Sequence, residues 1–342
     1  MSYDLLCLIW FGLLGVLLAG YAILDGFDLG VGMLHPLAKT DKERRIFMNS
    51  IGPLWDGNEV WLITFGGALF AAFPNAYASV FSGFYIAFML LLTALILRAV
   101  SMEFRSKRPG KWWRRFWDSC FLLGSTIAPL LYGVAIGNML RGIPLKENQD
   151  YAGTFFDLLN PYSLGVGIMA LALFVMHGNI YLYLKTEGEL QKKLHDWIWR
   201  HFFLFLAIYL VMTVWTMIEV PHALDNFKHF PIAWVIVVLN VLAIANIPRA
   251  IYHNRPLYSF ISSSCTIAAL VFLVGMALYP NLVTSSIEPA TRSITIYQDA
   301  SSMKTLQIML VIAVLGMPCV ISYTIAIYWV FRGKVKLDSH SY

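Results

Sequence analysis

Long, continuous hydrophobic runs alternate along this chain with short polar, basic or proline-bearing stretches. Nine of the runs are long enough to cross a hydrocarbon layer of about 30 Å as helices rising about 1.5 Å per residue. They lie near residues 5–25, 51–73, 78–100, 117–140, 162–184, 202–220, 231–248, 257–279 and 305–331. Apolar and polar residues do not alternate within the runs, so strands of a membrane barrel are not indicated. The pattern therefore predicts an all-α integral membrane protein with nine transmembrane helices.

Composition and charge support this class and predict an orientation. The chain has 342 residues, of which 58% are hydrophobic and 13% charged, whereas soluble domains carry about 25% charged residues. Most of the 25 Lys and Arg residues fall in the connections on one side of the predicted membrane. Basic connections mark the cytoplasmic side, so we expect the N-terminus outside and the C-terminus inside. The net charge of +5 is explained by these loops and indicates no nucleic-acid partner.

Two acidic motifs interrupt the first two hydrophobic runs. One carries Asp25 and Asp28, and the other carries Asp56 and Glu59. Carboxylates at membrane depth are costly and usually face a protein interior or a wet path. The two runs cross in opposite directions, so both motifs meet near the cytoplasmic side. Arg98, at the inner end of the third run, is the expected counter-ion.

We therefore predict a proton-handling site formed by Asp25, Asp56 and Glu59. Residues three apart can share a helix face, which favours a shared site within each motif. A carboxylate beside others also has a raised proton affinity, which suits a relay. Asp28 is expected closer to the lipid headgroups, as a structural cap or ion pair. The alternative is that the whole set is a structural polar cluster.

Haem or metal ligands are scarce. His177 alone among the histidines is predicted well inside a run, and methionines are ordinary filler in such runs. Axial haem ligation needs His or Met inside a bundle, so we expect no metal or haem held by this chain. His177 and Asn179 are expected to form an interhelical hydrogen-bond pair. The four cysteines show no CxxC spacing, so we expect buried free thiols and no disulfide.

Several ordered motifs resemble subunit II of the cytochrome bd quinol oxidases. The first is Leu24-Asp25-Gly26-Phe27-Asp28-Leu29-Gly30-Val31-Gly32, and the second is Trp55-Asp56-Gly57-Asn58-Glu59-Val60-Trp61-Leu62. Further matching segments lie at residues 43–51, 66–74, 81–85, 105–107, 137–138 and 158–161, and at Pro280 with Ser285-Ser286. The likeness is densest in the first half and extends over the whole chain.

The resemblance implies a fold of two four-helix bundles and one extra helix. On this chain these would be residues 1–140, 162–279 and 305–331, within one membrane domain. It also implies a heterodimer with subunit I in a bacterial cytoplasmic membrane. That complex oxidises quinol and reduces dioxygen to water, taking protons from the cytoplasm.

Haem b and haem d belong to subunit I in that family, so no catalytic residue is expected here. The residues matching Asp25 and Asp56 lie on a proposed proton path, while some relatives carry Gln in place of Glu59. The resemblance leaves open a quinone bound to subunit II, lipid contacts and a small single-span third subunit.

Two other functions compete with this one. A proton-coupled transporter would show inverted repeats and a polar site at mid-membrane, whereas the carboxylates here lie near one face and in the first bundle only. A purely structural subunit without a relay is the other alternative. It would tolerate replacement of Asp25 or Asp56 without loss of turnover.

Overall fold

Helices make up most of residues 1–337, which the computed structural model describes. Two short strands, β1 (Asn281–Val283) and β2 (Ile294–Thr295), pair antiparallel, with Asn281 opposite Thr295. The helices are α1 (Tyr3–Leu34), α2 (Asp41–Ile51), α3 (Trp55–Ala72), α4 (Pro74–Gly83), α5 (Tyr85–Phe104), α6 (Lys111–Arg141), α7 (Pro161–Lys185), α8 (Gly188–Glu219), α9 (Asp225–His229), α10 (Trp234–Tyr252), α11 (Pro256–Leu278), α12 (Pro289–Arg292) and α13 (Met303–Val330).

Within the described residues, eight helices are long and apolar enough to cross a membrane: α1, α5, α6, α7, α8, α10, α11 and α13. The predicted run 51–73 corresponds to α3, whose first two turns carry two carboxylates and an amide. The predicted run 78–100 is divided, because α4 ends at Gly83 and α5 begins at Tyr85. The membrane class is confirmed, and the count of nine spans stays a prediction.

The centre of the fold is α1, which packs against α3, α6, α7 and α11. Gly30 and Gly178 bring α1 and α7 into backbone contact: a Cβ on Gly30 would lie 2.0 Å from the carbonyl oxygen of Phe174. Small residues commonly allow such approach in membrane helices. The second half of α1 is almost fully buried, with Phe27 stacked on Tyr181 at 4.0 Å between ring centroids. Residues beyond Asp25 therefore lie inside the protein.

The neighbours of each helix are compatible with two groups of four. In the first half α1 packs on α3 and α6, and α5 packs on α6; in the second, α7 packs on α8 and α11, and α10 on α11. Close α6–α7 and α1–α7 contacts join the halves. The division at residues 1–140 and 162–279 stays a prediction.

The last helix, α13, stands at the edge of the protein, and no residue of its most apolar 18-residue window is buried. It is attached near its ends. The Trp10 indole donates to the Leu306 carbonyl at 3.0 Å, and the Tyr328 hydroxyl donates to Asn58 Oδ1 at 3.0 Å. Beyond the helix, the Val335 amide donates to the Lys185 carbonyl at 2.9 Å. The middle of α13 therefore presents an open apolar face.

Candidate functional site

A buried ion pair joins α1 to α5. Arg98 Nη2 lies 2.7 Å from Asp25 Oδ1 and Arg98 Nη1 lies 3.1 Å from Asp25 Oδ2, so the guanidinium donates to both carboxylate oxygens. Both side chains are fully buried. The lack of a side chain at Gly124 lets α6 approach here, since a Cβ there would lie 2.9 Å from Arg98 Cβ. Bidentate arginine–carboxylate pairs of this kind are among the strongest and best-oriented ion pairs in proteins.

Two more carboxylates face the same guanidinium. Glu59 Oε1 lies 3.3 Å from Arg98 Nη1, and Asp28 Oδ2 lies 4.0 Å from Arg98 Nη2. Asp28 is fully buried, while the Glu59 side chain keeps 23% of its exposure. Three carboxylates around one cation leave an excess of negative charge when all are ionised. Proton binding would neutralise that excess, which gives the cluster the capacity to take up and release protons.

Asp28 is fully buried inside the protein, and its expected position near the lipid headgroups stays a prediction. Asp28 accepts a hydrogen bond from Asn58 Nδ2 at 2.8 Å, and Asn58 also donates to the Leu24 carbonyl at 3.2 Å. Asp28 is buried because α1 continues for two more turns beyond it and those turns are packed by α6 and α7. Asp28 therefore belongs to the buried cluster, with Asn58 on α3 as a further member.

The structure does not bring Asp56 into this cluster. Asp56 lies in the first turn of α3 and is exposed, and no ion pair or hydrogen bond is found for its carboxylate among residues 1–337. Glu59, one turn further along α3, points to Arg98. Of the three predicted proton-site residues, two meet Arg98 and the third lies on the open face of α3.

Two tyrosines that the sequence analysis did not single out extend the cluster. The Tyr21 hydroxyl donates to Asp25 Oδ2 at 2.7 Å and lies 2.6 Å from the Tyr132 hydroxyl on α6. Tyr21 precedes Asp25 by four residues, a spacing that puts both on one helix face, so it could have been found. Tyr132 is remote in sequence and carries no comparable signal.

A second ionic cluster lies where α1 ends, next to the basic loops. We call it the basic-end cluster; its centre is Asp118 on α6. Asp118 Oδ1 lies 2.7 Å from His35 Nε2 and 2.5 Å from Arg105 Nε, and Asp118 Oδ2 lies 2.6 Å from Arg44 Nη1. Arg105 also donates to Asp41 at 2.8 Å. These contacts tie α1, α2, α5 and α6 together.

The electrostatics of the basic-end cluster keep Asp41 ionised. Burial raises the pKa of Asp41, but the hydrogen bond from Arg105 and the charges of Arg105, Arg114 and Arg45 outweigh burial. The net result is a pKa below the ordinary value. This residue lies on α2, outside the spanning helices. The same arrangement pairs Nε and Nη2 of Arg105, which is 1% exposed, with the carboxylates of Asp118 and Asp41.

His177 is fully buried, with both ring nitrogens near hydrogen-bonding groups. Nδ1 lies 2.7 Å from Ser263 Oγ and Nε2 lies 3.1 Å from the Ile23 carbonyl oxygen. The expected partner Asn179 instead contacts His201 Nδ1 at 3.0 Å. Each residue thus makes an interhelical bond, but not with the other. The ring of His177 is held by α1 and α11, which leaves neither nitrogen pointing to open space.

The cysteines are only partly as expected. Cys7 and Cys120 are buried free thiols, whereas Cys265 and Cys319 are exposed. Both exposed cysteines lie on apolar outer faces, Cys265 on α11 and Cys319 on α13. Among residues 1–337, no group of three or more His, Cys, Asp or Glu is arranged to hold a metal ion.

Comparison with known proteins decides the family. The sequence model described as "Cytochrome bd terminal oxidase subunit II" matches residues 6–331. The chain belongs to the cytochrome bd terminal oxidase subunit II family. "Cytochrome bd-I ubiquinol oxidase subunit 2" of Escherichia coli strain K12 is 37% identical, over 98% of this chain and 97% of that protein. "Cytochrome bd ubiquinol oxidase subunit 2" of Bacillus subtilis strain 168 is 33% identical, over 96% of each chain.

A solved structure supports the fold of this subunit II family member. The bd oxidase of Geobacillus thermodenitrificans superposes with a TM-score of 0.79, covering 95% of this chain and 98% of that chain, at 17% identity. At that identity the likeness speaks for the fold alone. The resemblance seen in the acidic motifs is thereby confirmed at the level of the family, while the roles of individual residues stay predictions.

Proposed function

We propose that this chain works as subunit II of a bd-type quinol oxidase in a bacterial cytoplasmic membrane. The complex oxidises quinol and reduces dioxygen to water. Family membership over residues 6–331 and relatives named as ubiquinol oxidase subunits support this. The chain would act as a scaffold and as a proton path, and the oxidation and reduction steps would take place in its partner.

The observation that carries the proton path is the fully buried Arg98 facing three carboxylates. A purely structural ion pair needs one carboxylate for one guanidinium, and Asp25 already fills that role with two hydrogen bonds. Asp28 and Glu59 add charge at a depth where uncompensated charge is costly. Such an excess is useful where protons are bound and passed on.

We propose that the proton path starts at the basic-end cluster, on the side taken as cytoplasmic. It leaves the group of buried carboxylates through Glu59. Glu59 is the one member of the three-carboxylate group with a partly exposed side chain. Asp56 lies one turn nearer the start of α3 and is exposed. A proton could therefore pass between Asp25, Glu59 and Asp56 along one side of α3. The haems of the complex would receive it from that side.

The open face of α3 is also where we place the partner, subunit I. If α3 crosses the membrane as the sequence predicts, an exposed Asp56 is costly against lipid, so we expect a protein surface to cover it. Gly57, Gly66 and Gly67 of the same helix have nothing within 4 Å of where a Cβ would stand. Small residues of this kind suit close helix packing between subunits. The open middle of α13 flanks the same side, because α13 packs on α3.

Haem b and haem d are proposed to be held by subunit I. Both nitrogens of His177 are engaged by Ser263 and Ile23, so the histidine at depth is not shaped as an axial ligand. Haem supplies the electron transfer and oxygen chemistry of the complex. This chain's residues hold and move protons and support the partner.

The test is purification of the chain alone and with its haem-bearing partner. We expect haem absorption and quinol oxidase turnover only in the assembled pair. A stoichiometric Soret band in the partner-free chain, lost on His177→Ala, would contradict the assignment of haem to subunit I. A chain that is stable alone and never co-purifies with a haem protein would contradict the heterodimer.

A further inference from the structure

Three helices carry polar residues two turns apart on the sides that face one another. On each helix one residue of the pair lies in the basic-end cluster or beside it. The other lies at or near the buried cluster of Arg98 with Asp25, Asp28 and Glu59, which we call the Arg98 cluster. A spacing of seven residues is close to two helical turns and about 10 Å along the axis. The pairs are His35 and Asp28 on α1 and its following turn, Arg105 and Arg98 on α5 and its following turn, and Asp118 and Ser125 on α6. We call this set the polar seam.

Buried polar atoms without a protein partner gather in this seam. They are Asp28 Oδ1, Arg98 Nε, Ser125 Oγ, His35 Nδ1 and Arg105 Nη1, five of the ten such side-chain atoms found among residues 1–337. Buried polar groups in proteins are nearly always paired, and internal water is a common partner. Such atoms at both ionic clusters, and at Ser125 on the helix that joins them, therefore point to water as the ligand.

Ser125 stands midway along the seam. It is fully buried, and its hydroxyl lies so close to α1 that a Cβ on Gly32 would be 1.9 Å from Oγ. Gly32 follows Asp28 by one turn and precedes His35 by one turn. The hydroxyl is thus about 5 Å along the axis from each cluster, a gap that about one or two water molecules bridge at hydrogen-bond spacing.

His35 is held in place by Asp118 and Phe121. Its Nε2 lies against Asp118 Oδ1, and Asp118 is in turn held by Arg44 and Arg105. The ring packs edge-on against Phe121 at 5.3 Å between centroids. With Nε2 donating to the carboxylate, neutral His35 keeps Nδ1 as an acceptor. That atom is buried and has no protein partner.

We propose that the polar seam holds a short file of internal water and that Ser125 is its positioning residue. The hydroxyl accepts a hydrogen bond on one side and donates on the other, so it can join water at His35 to water at Asp28. Protons from the basic end would reach Asp28 and Asp25 through this seam, without passing Asp56. The inference rests on the proposed proton path and adds to it a route from the basic-end cluster to Asp28 and Asp25.

The test compares Ser125→Ala with Ser101→Ala in the assembled, haem-loaded complex. Both serines are fully buried on neighbouring helices, but the Ser101 hydroxyl donates to the Arg98 carbonyl of its own helix at 2.6 Å. We expect Ser125→Ala to lower turnover per haem about fivefold, the equivalent of about 1 kcal/mol in the barrier. The solvent deuterium isotope effect on turnover should rise with it. Ser101→Ala should match the unaltered complex in both measurements.

A second variant covers the case in which Ser125→Ala fails to assemble. His35→Gln keeps a donor for Asp118 and removes the Nδ1 acceptor, and we expect the same rise in isotope effect. Unchanged turnover and isotope effect in either assembled variant would overturn the proposal. Failure of the wider proton path is distinguishable, because it would appear as normal turnover in Asp25→Asn.

Discussion

Replacing Asp25 with Asn is the sharpest test of the buried cluster. The variant keeps the shape of the side chain and one oxygen that can accept from Arg98, but it removes the charge and the titrating proton. Asp25 receives two hydrogen bonds from Arg98 and one from Tyr21, so no other carboxylate of the cluster is as tightly connected. We expect turnover per haem to fall about tenfold or more, equivalent to about 1.4 kcal/mol or more in the barrier.

The expected cost in stability is modest, and the structure explains why. Breaking a buried ion pair outright costs about 3–5 kcal/mol, since it leaves a charge without a partner. Here Arg98 keeps Glu59 at 3.3 Å and Asp28 at 4.0 Å. The loss should therefore be closer to that of one charged hydrogen bond, about 2 kcal/mol. Assembly and haem content should stay near normal.

The assay is oxygen consumption per haem with quinol as electron donor, alongside thermal unfolding of the same preparation. Asp299→Asn is the matched control: Asp299 is 9% exposed and accepts from Asn75, Gln149 and the Thr295 amide, far from Arg98 in the fold. Normal turnover in Asp25→Asn, with haem content preserved, would refute the relay. Loss of haem in proportion to activity would show instead that Asp25 holds the complex together.

Other predictions test the packing, the second cluster and the carboxylate excess. Gly30→Ala should abolish assembly, because its Cβ would lie 2.0 Å from a backbone oxygen of α7. Gly12→Ala is the control, because nothing lies within 4 Å of its Cβ position. It should change neither the haem content nor the thermal unfolding of the complex. The pKa of Asp41 lies below its ordinary 3.8, so its contribution to stability is complete above that pH and is lost as pH falls through the lower folded value. Asp41→Asn should flatten this acid loss in unfolding scans. His177→Gln should leave the haem spectrum of the complex unchanged; a lost band would show ligation. Asp28→Asn should raise thermal stability yet slow turnover, and unchanged turnover would favour a structural role.

The membrane class and the meeting of the two acidic motifs could be predicted from the sequence. Continuous apolar runs report helices directly, and opposite crossing directions bring Asp25 and Glu59 to the same depth. Arg98 followed from the same reasoning, because it ends a neighbouring run. These predictions depend only on how far along its helix each residue lies, and that distance follows from the number of residues.

The relative placement of Asp28 and Asp56 could not be predicted in this way, because it depends on which face of a helix is covered. The first hydrophobic run predicts an end near residue 25, whereas α1 continues to Leu34 and buries Asp28 on the way. Asp56 lies on the opposite side of α3 from the buried Asn58, so its side chain is exposed and stays outside the cluster. The basic-end cluster was missed because Asp118 meets His35 and Arg44 across long sequence separations.

Stability alone does not account for the Arg98 cluster. Removing two ions from water costs several kcal/mol each, and well-packed apolar residues of similar volume often replace a buried pair without loss. A fold selected only as a scaffold would gain little from Arg98 and Asp25, and less from two further carboxylates that the guanidinium cannot fully compensate. The Asn58 amide, donating to Asp28 and receiving from Tyr328 on α13, supports that extra charge and does not neutralise it. An arrangement in which carboxylates outnumber the guanidinium beside the open face of α3 is costly for a scaffold. It is useful to a subunit that delivers protons across that face.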